Sequence, residues 1–224
     1  MWGDYEKWAF PKWQRDSRAS LVSLQANLAN RVSWQFDFKG PSLTVNTACS
    51  SALSALGLAQ EALRSGTTDV ALVIAVNVFG HPYHLDALSG RDFLAPKDRA
   101  LPFGSEANGM VLGEGVGGVL LKRAEDAARD KDCVLAVLKA VALGHSGRTR
   151  LFGLPRAEAQ AQLIRQCCQQ GQVAPAQVTY VESAASGISV ADLAEAEAIV
   201  ASLSAGPKPC TIGTLKAQIG HLES

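Results

Sequence analysis

The sequence has 224 residues, 47% of them hydrophobic, which is enough for a substantial core in one large or two small domains. Its 21 lysines and arginines balance 21 aspartates and glutamates, so it has no electrostatic footprint for nucleic acid or an anionic membrane. No apolar run reaches transmembrane length, and the N-terminus has no basic segment followed by an apolar core. These features predict a soluble, cytoplasmic protein.

Neither the cysteines nor the histidines are spaced as in a disulfide framework or a metal site. An odd number of cysteines without close, regular spacing argues against disulfides, and the histidines are scattered. No Cys-x-x-Cys or His-x-x-x-His pair suggests a metal, so we expect no metal cofactor. The residues are Cys49, Cys133, Cys167, Cys168 and Cys210, with His81, His84, His145 and His221.

The N-terminal third begins with aromatic and charged residues interleaved over residues 1–18. Acidic residues are mixed in, which favours a packing or interface segment over a nucleic-acid stacking surface. Residues 19–31 carry leucines at helical spacing and predict a helix, whereas residues 32–38 alternate as in a strand. A second predicted strand, residues 41–45, leads into a helical pattern from Cys49 to about Ser65.

Cys49 lies at the junction between this predicted strand and helix. Unpaired backbone N–H groups and the positive end of the helix dipole favour a thiolate at such a position. Small neighbours leave room for a tight turn and for a substrate beside the sulfur, an arrangement similar to the nucleophile elbow of acyl-transfer enzymes. The alternative is a buried cysteine that packs as a small hydrophobe.

The middle of the chain contains one buried strand and one misleading glycine motif. Residues 70–76 form a continuous apolar run, which predicts a strand buried on both faces, and residues 77–108 are rich in loops. The Gly-x-Gly-x-x-Gly pattern that starts at Gly113 continues into an apolar strand at residues 119–121 rather than a helix. We therefore reject nucleotide binding at this motif.

Helices and strands alternate through the rest of the chain, which is typical of a layered α/β fold with a mixed or parallel sheet. Helices are predicted at residues 124–129, 157–170 and 190–203, and strands at residues 134–143, 178–182 and 211–214.

Three segments together resemble the β-ketoacyl synthase domains of modular type I polyketide synthases. They are Thr-Ala-Cys-Ser-Ser around Cys49 after Gly-Pro-Ser-Leu, then Pro102-Phe103 followed by Gly113-Glu114-Gly115, and finally Lys216-Ala217-Gln218-Ile219-Gly220-His221-Leu222. The likeness covers essentially the whole sequence but only the middle of such a domain, so we expect a piece of a larger domain. It implies a thiolase-like layered αβαβα fold of which only the central portion is covered. Residues 1–131 would be the remainder of the N-terminal half and residues 132–224 the start of the C-terminal half.

The resemblance also implies roles for three residues. Cys49 would take an acyl chain from the phosphopantetheine thioester of an acyl carrier protein. His221 would donate a hydrogen bond to the thioester carbonyl of the extender unit, and Lys216 would be a positive charge that orders the site. Taken alone, His221 and Lys216 would be read as a loop histidine and a solvated charge. The family further implies a homodimer, and no cofactor beyond the phosphopantetheine arm of the partner.

The sequence departs from the family where a second histidine is expected. The family has His-Gly-Thr-Gly-Thr after a Val-Glu strand, and alignment on Glu182, Gly187, Asp192 and Glu195 places Ala184 at the histidine. Alanine can neither donate a hydrogen bond nor move a proton, so one of two imidazoles needed for carbon–carbon bond formation is lost.

A smaller departure is Asn46, where the family usually has aspartate. Its amide can still cap the helix, so we expect a modest local effect.

Together these features predict a ketosynthase-like acyltransferase that is acylated at Cys49 and does not elongate, passing or screening acyl chains between carrier proteins. One alternative is an active, decarboxylative condensing enzyme that tolerates the loss of the histidine. The other is an inactive structural or docking pseudo-enzyme.

Overall fold

The structure is a computed structural model that describes residues 3–13, 24–90, 93–96, 99–203 and 209–224. The chain divides into two compact units. The first comprises Met1–Gly90, Glu114–Arg123 and Glu223–Ser224, and the second comprises Arg91–Gly113 and Ala124–Leu222.

The first unit is built on an antiparallel pair of strands. β1 (Val70–Asn77) pairs with β2 (Gly115–Lys122), with Val70 opposite Lys122 and Asn77 opposite Gly115. Its helices are α1 (Asp4–Trp13), α2 (Asn27–Gln35), α3 (Ser51–Arg64) and α4 (Tyr83–Ser89). Helix α3 packs on β1 and β2.

Arg123 fastens the end of α3 beside the sheet. Its Nη1 donates to the carbonyls of Leu63 (3.0 Å) and Thr68 (2.8 Å), and its Nη2 bonds the Asp69 carboxylate. The bond to Leu63 satisfies a carbonyl in the last turn of α3, where a cation is also favoured by the helix dipole, and the bond to Thr68 ties down the turn that follows.

Several predictions for the first unit are confirmed. Helix α3 follows Cys49, and Gly66 adopts the left-handed conformation (φ 72°) just after its end, as predicted for a C′ glycine. The glycine-rich segment after Gly113 runs into the strand β2, not into a helix. The predicted helix over residues 19–31 falls partly outside the described residues.

Two strand predictions for this unit are wrong, and a third, the strand at residues 70–76, is confirmed as β1 but not in its predicted burial. Residues 32–35 belong to α2, because Leu28 and Val32 are four residues apart and fit the helical period as well as the alternation of a strand. No strand is assigned to residues 41–45 within the described part of the chain. β1 is not buried on both faces, since only Val73 along it is fully buried.

The described residues of the second unit form a short parallel pair of strands, several α-helices and a 3-10 helix at Pro175–Gln177. β3 (Tyr180–Glu182) pairs with β4 (Thr211–Gly213). The helices are α5 (Ala124–Asp130), α6 (Ala157–Gln170), α7 (Ser189–Leu203) and α8 (Lys216–Ile219). Helices α6 and α7 pack closely because small residues line their contact: Ala198 is fully buried, and Ser202 Oγ donates to the Ala161 carbonyl at 3.2 Å.

The predicted strand over residues 134–143 is not formed. Residues 133–143 carry no strand assignment, and the side chain of Leu135 is 94% exposed. A β-prone apolar run becomes a strand only when a neighbour completes its ladder, and the described residues supply no such neighbour here. In the described part of the chain, no helix is long and apolar enough to span a membrane.

Candidate active site

Cys49 lies in a tight turn directly before helix α3, as predicted. The Ser51 N–H donates to the Ala48 carbonyl at 3.0 Å, and Ser50 is the N-cap residue of the helix. The side chain of Ser51 ties the turn together, since its Oγ accepts from the Thr47 N–H (3.0 Å) and donates to the Ala48 carbonyl (2.6 Å). Cys49 itself is an exposed thiol that forms no disulfide.

The turn holds the residue before Cys49 in a strained conformation. Ala48 has φ 54°, in the left-handed region that non-glycine residues seldom adopt, and such strain clusters at functional sites. Asn46 Oδ1 accepts a hydrogen bond from the Ala48 N–H at 3.3 Å. The amide at position 46 therefore makes a local turn bond of the kind expected from a carboxylate there.

His221 lies in the second unit in a segment fixed by its backbone. Its N–H donates to the Val111 carbonyl at 2.7 Å, and its own carbonyl accepts from the Gly113 N–H at 3.1 Å. Gly220 directly before it has φ 79°, and a Cβ there would lie 2.8 Å from the Leu112 carbonyl carbon. Only glycine combines this positive φ with the absence of a Cβ, so Gly220 fixes the backbone conformation next to the buried His221.

Lys216 begins α8 and reaches back to the end of β3. Its Nζ lies 3.5 Å from the Ser183 carbonyl. The Leu215 N–H (2.7 Å) and the Tyr180 hydroxyl (2.6 Å) both donate to the Glu182 carboxylate. These two bonds, helped by the positive charge of Lys216, hold the pKa of Glu182 below its usual range.

Ala184 lies on the loop that follows β3, and a single carboxylate holds this loop. Glu195 of α7 accepts from the Ala184 N–H with one oxygen (2.6 Å) and from the Ala185 N–H with the other (2.8 Å). Ala185 has φ 37° and is 2% exposed, whereas the side chain of Ala184 is exposed. The loop therefore presents a methyl group from a fixed backbone.

Asp192 holds the other end of the same loop. Its Oδ1 accepts from the Gly187 N–H (3.2 Å) and its Oδ2 from the Phe103 N–H (2.9 Å). Gly187 has φ 77°, and a Cβ there would lie 2.4 Å from the Gly109 carbonyl oxygen. In the sequence, Glu195 and Asp192 serve only to align this loop with the family motif. Their positions early in α7, a few residues beyond the loop, were the available signal for this role.

The predicted site residues are thus divided between the units. Cys49 belongs to the first, whereas Lys216, His221 and the Ala184 loop belong to the second, where Lys216 and Ala184 flank Ser183. The first unit also contains a buried histidine, His84, which contacts Glu223 and which no motif in the sequence singles out.

Comparison with known families explains this set of residues. The family model "Beta-ketoacyl synthase, N-terminal domain" matches residues 3–127, and "Beta-ketoacyl synthase, C-terminal domain" matches residues 135–224. The chain belongs to the β-ketoacyl synthase family. The resemblance seen in the sequence is therefore confirmed.

Named relatives are polyketide synthases. The chain is 36% identical over 227 residues to polyketide synthase PksL of Bacillus subtilis, covering 100% of this chain and 5% of the relative. It is 43% identical over 201 residues to polyketide synthase ThaG of Burkholderia thailandensis, covering 88% of this chain and 4% of the relative. The chain thus spans a small part of these curated relatives.

Solved structures confirm the fold class. The oxazolomycin ketosynthase domain OzmH KS7 of Streptomyces albus matches with a TM-score of 0.93 and 38% identity, over 100% of this chain and 39% of that one. The ketosynthase from module 6 of the bacillaene synthase of Bacillus subtilis matches with a TM-score of 0.81 and 30% identity, over 89% and 37%. The fold is the thiolase-like fold of ketosynthases, and the chain covers part of it.

Proposed function

We propose that this ketosynthase chain accepts acyl groups on Cys49 from an acyl carrier protein and passes them on without elongating them. Its role is then transacylation or gatekeeping in a polyketide assembly line. The relatives are polyketide synthases, which supports a carrier-protein partner. From the family resemblance we also propose a homodimer and the division into halves near residue 131.

The transfer step needs only the thiol and the thioester. The Cys49 thiolate attacks the acyl carbonyl, a new carbon–sulfur bond forms, and the bond to the phosphopantetheine sulfur breaks. The departing thiolate takes up the proton that Cys49 released, so atoms and charge balance without a further reactant. Leaving group and nucleophile are alike, so the reverse reaction to a second carrier arm is equally accessible.

Ala184 is the observation on which the absence of elongation rests. Condensation requires stabilisation of an enolate and its capture by the Cys49-bound acyl group, for which the family uses two imidazoles. The loop that would carry the second imidazole has only the methyl group of Ala184 at that position. Its other polar side chains are engaged, since Ser183 Oγ donates to the Gly213 carbonyl (2.8 Å) and Ser186 Oγ to Asp192 (3.3 Å).

His221 and Lys216 keep a role in this proposal. The buried His221 would donate a hydrogen bond to a thioester carbonyl, and Lys216 would order the end of β3 through Ser183. One imidazole can polarise a carbonyl, but it does not supply the second donor or the proton transfer that the missing side chain would provide.

The test is acyl exchange between two distinguishable carrier proteins, followed by intact-protein mass spectrometry. We expect an acyl adduct on the wild-type chain that maps to Cys49, and transfer of the acyl group to the second carrier. Cys49→Ala should lose both, whereas Cys133→Ala should keep both, because Cys133 is also an exposed thiol but lies outside the turn. A folded wild-type chain that forms no adduct would contradict the proposal and favour the docking pseudo-enzyme.

A further inference from the structure

Glu182 joins the end of β3 to the segment that carries Lys216. Its Oε1 accepts a hydrogen bond from the Leu215 N–H at 2.7 Å. Leu215 is the N-cap residue of α8, and Lys216 is the first residue of that helix. The Glu182 side chain is therefore bonded to the backbone directly before the lysine, and all three residues belong to the second unit.

Helix α8 is a single turn and depends on contacts outside itself for its position. It has four residues, and a helix this short is not stable on its own. Besides the bond from Leu215 to Glu182, its start is held by the Lys216 N–H, which donates to Thr214 Oγ1 at 3.3 Å. Lys216 Nζ lies 3.5 Å from the Ser183 carbonyl oxygen, at the outer limit of a hydrogen bond. A small shift of α8 is enough to break this contact, so the position of the ammonium group depends on how the helix begins.

The Glu182 carboxylate is itself held by its other oxygen. The Tyr180 hydroxyl donates to Oε2 at 2.6 Å. Gly213 lies opposite Glu182 in the pair of β3 and β4, and a Cβ there would lie 2.5 Å from the Tyr180 hydroxyl oxygen. Glycine at this position therefore leaves room for the tyrosine to reach the carboxylate. The charge of Lys216 lowers the pKa of Glu182 less than either hydrogen bond does, so the link between the two residues runs chiefly through the Leu215 backbone.

We propose that Glu182 is a positioning residue for Lys216, acting through the Leu215 N–H, and that Tyr180 orients the Glu182 carboxylate for this contact. The importance of this positioning for acyl transfer rests on the role proposed above for Lys216. The claim that Glu182 sets the position of the Lys216 ammonium group does not depend on that role, because every contact it uses lies within the second unit.

Trace acetylation of the folded chain with acetic anhydride tests the inference, with the labelling of each lysine read by mass spectrometry after digestion. Lys131, an exposed lysine of the same unit, is the internal reference. We expect Glu182→Ala to raise the acetylation rate of Lys216 relative to Lys131 by about two- to tenfold, the factor that the loss of one ordinary hydrogen bond gives. Glu182→Gln keeps a carbonyl oxygen for the Leu215 N–H and should restore most of the wild-type ratio. Glu197→Ala, which removes another exposed carboxylate of the same unit, should leave the ratio unchanged.

An unchanged ratio in a folded Glu182→Ala chain would overturn the inference. Equal rises in Glu182→Ala and Glu182→Gln would also overturn it, because the loss of charge alone would then account for the effect. If Glu182→Ala does not fold, Tyr180→Phe decides by the same readout, since it releases one carboxylate oxygen and should raise the ratio by a smaller factor. The same variants are then assayed for acyl transfer between carrier proteins. A raised ratio with wild-type transfer rates would support the inference and remove the proposed role of Lys216.

Discussion

Replacing Ala184 by histidine should restore condensation, because the loop that would hold the imidazole is already in place. The substitution changes only the side chain, so the two hydrogen bonds from the Ala184 and Ala185 N–H groups to Glu195 remain. Ala184 is exposed, so an imidazole there displaces no core residue of its unit. The variant should therefore fold as the wild type does.

The size of the gain follows from what a placed acid–base group contributes. General acid–base catalysis is worth about 10²- to 10⁴-fold, or roughly 2.7 to 5.4 kcal/mol of barrier at about 1.36 kcal/mol per tenfold. We expect Ala184→His to release carbon dioxide from malonyl carrier protein faster than the wild type by a factor in this range, and to lengthen the acyl group, which the wild type is expected not to do. Ala184→Leu, which introduces a side chain of similar size without a titratable group, should show no gain.

The assay follows the mass of the acyl product after malonyl carrier protein is added to the acylated variant. A folded Ala184→His chain that is acylated at Cys49 but does not elongate would refute this reasoning. If the wild type also fails to elongate, the cause would then lie elsewhere than at Ala184.

Three further predictions concern the supports of the site. Glu195→Gln replaces a carboxylate that accepts hydrogen bonds from two backbone N–H groups, and it should lower the free energy of unfolding by about 1–3 kcal/mol in urea titrations. The control is Glu197→Gln, an exposed change on the same helix, which should have little effect. Hydrogen bonds lower the pKa of Glu182 in the folded state. The stabilising contribution of Glu182 is therefore present above its unfolded pKa of about 4.3, and it is lost as pH falls through the lower folded pKa. Glu182→Gln should accordingly reduce the fall in unfolding free energy at acid pH. Ser51→Ala removes the two hydrogen bonds that the Ser51 side chain makes in the Cys49 turn, and it should cost about 1–2 kcal/mol of unfolding free energy while slowing acylation.

Each of these predictions has a clear opposing result. Equal unfolding curves for the Glu195 and Glu197 variants would mean that the loop does not depend on its carboxylate. If Glu182→Gln leaves the fall in unfolding free energy at acid pH unchanged, the hydrogen bonds from Leu215 and Tyr180 to Glu182 are not its cause. Wild-type acylation rates in Ser51→Ala would show that the turn keeps its form without that side chain.

Helices were predicted better than strands, because helical hydrogen bonds are local. The predicted ranges for α3, α6 and α7 agree with the structure to within about two residues, since the spacing of apolar residues and the glycine at position 66 act within one segment. A strand depends on a partner that can lie far along the chain. The apolar residues 134–143 had a strand pattern, yet no pairing follows from the pattern itself.

The site shows the same limit. The motif around Cys49 and the position of Ala184 could be read from the sequence because each lies in a short, distinctive segment. The two hydrogen bonds that the loop N–H groups of Ala184 and Ala185 donate to Glu195 depend on how helix α7 packs, which cannot be read from the sequence. The contact between His84 and Glu223 joins residues 139 positions apart, and no periodicity or motif connects them.

The most direct test of the central claim is the mass of the Cys49 adduct and of any product released after malonyl carrier protein is added to the acylated wild-type chain. The account predicts an adduct of unchanged mass and no lengthened acyl group on either carrier protein. An acyl product longer by one extender unit would show that the chain condenses without the second histidine, and would contradict the account.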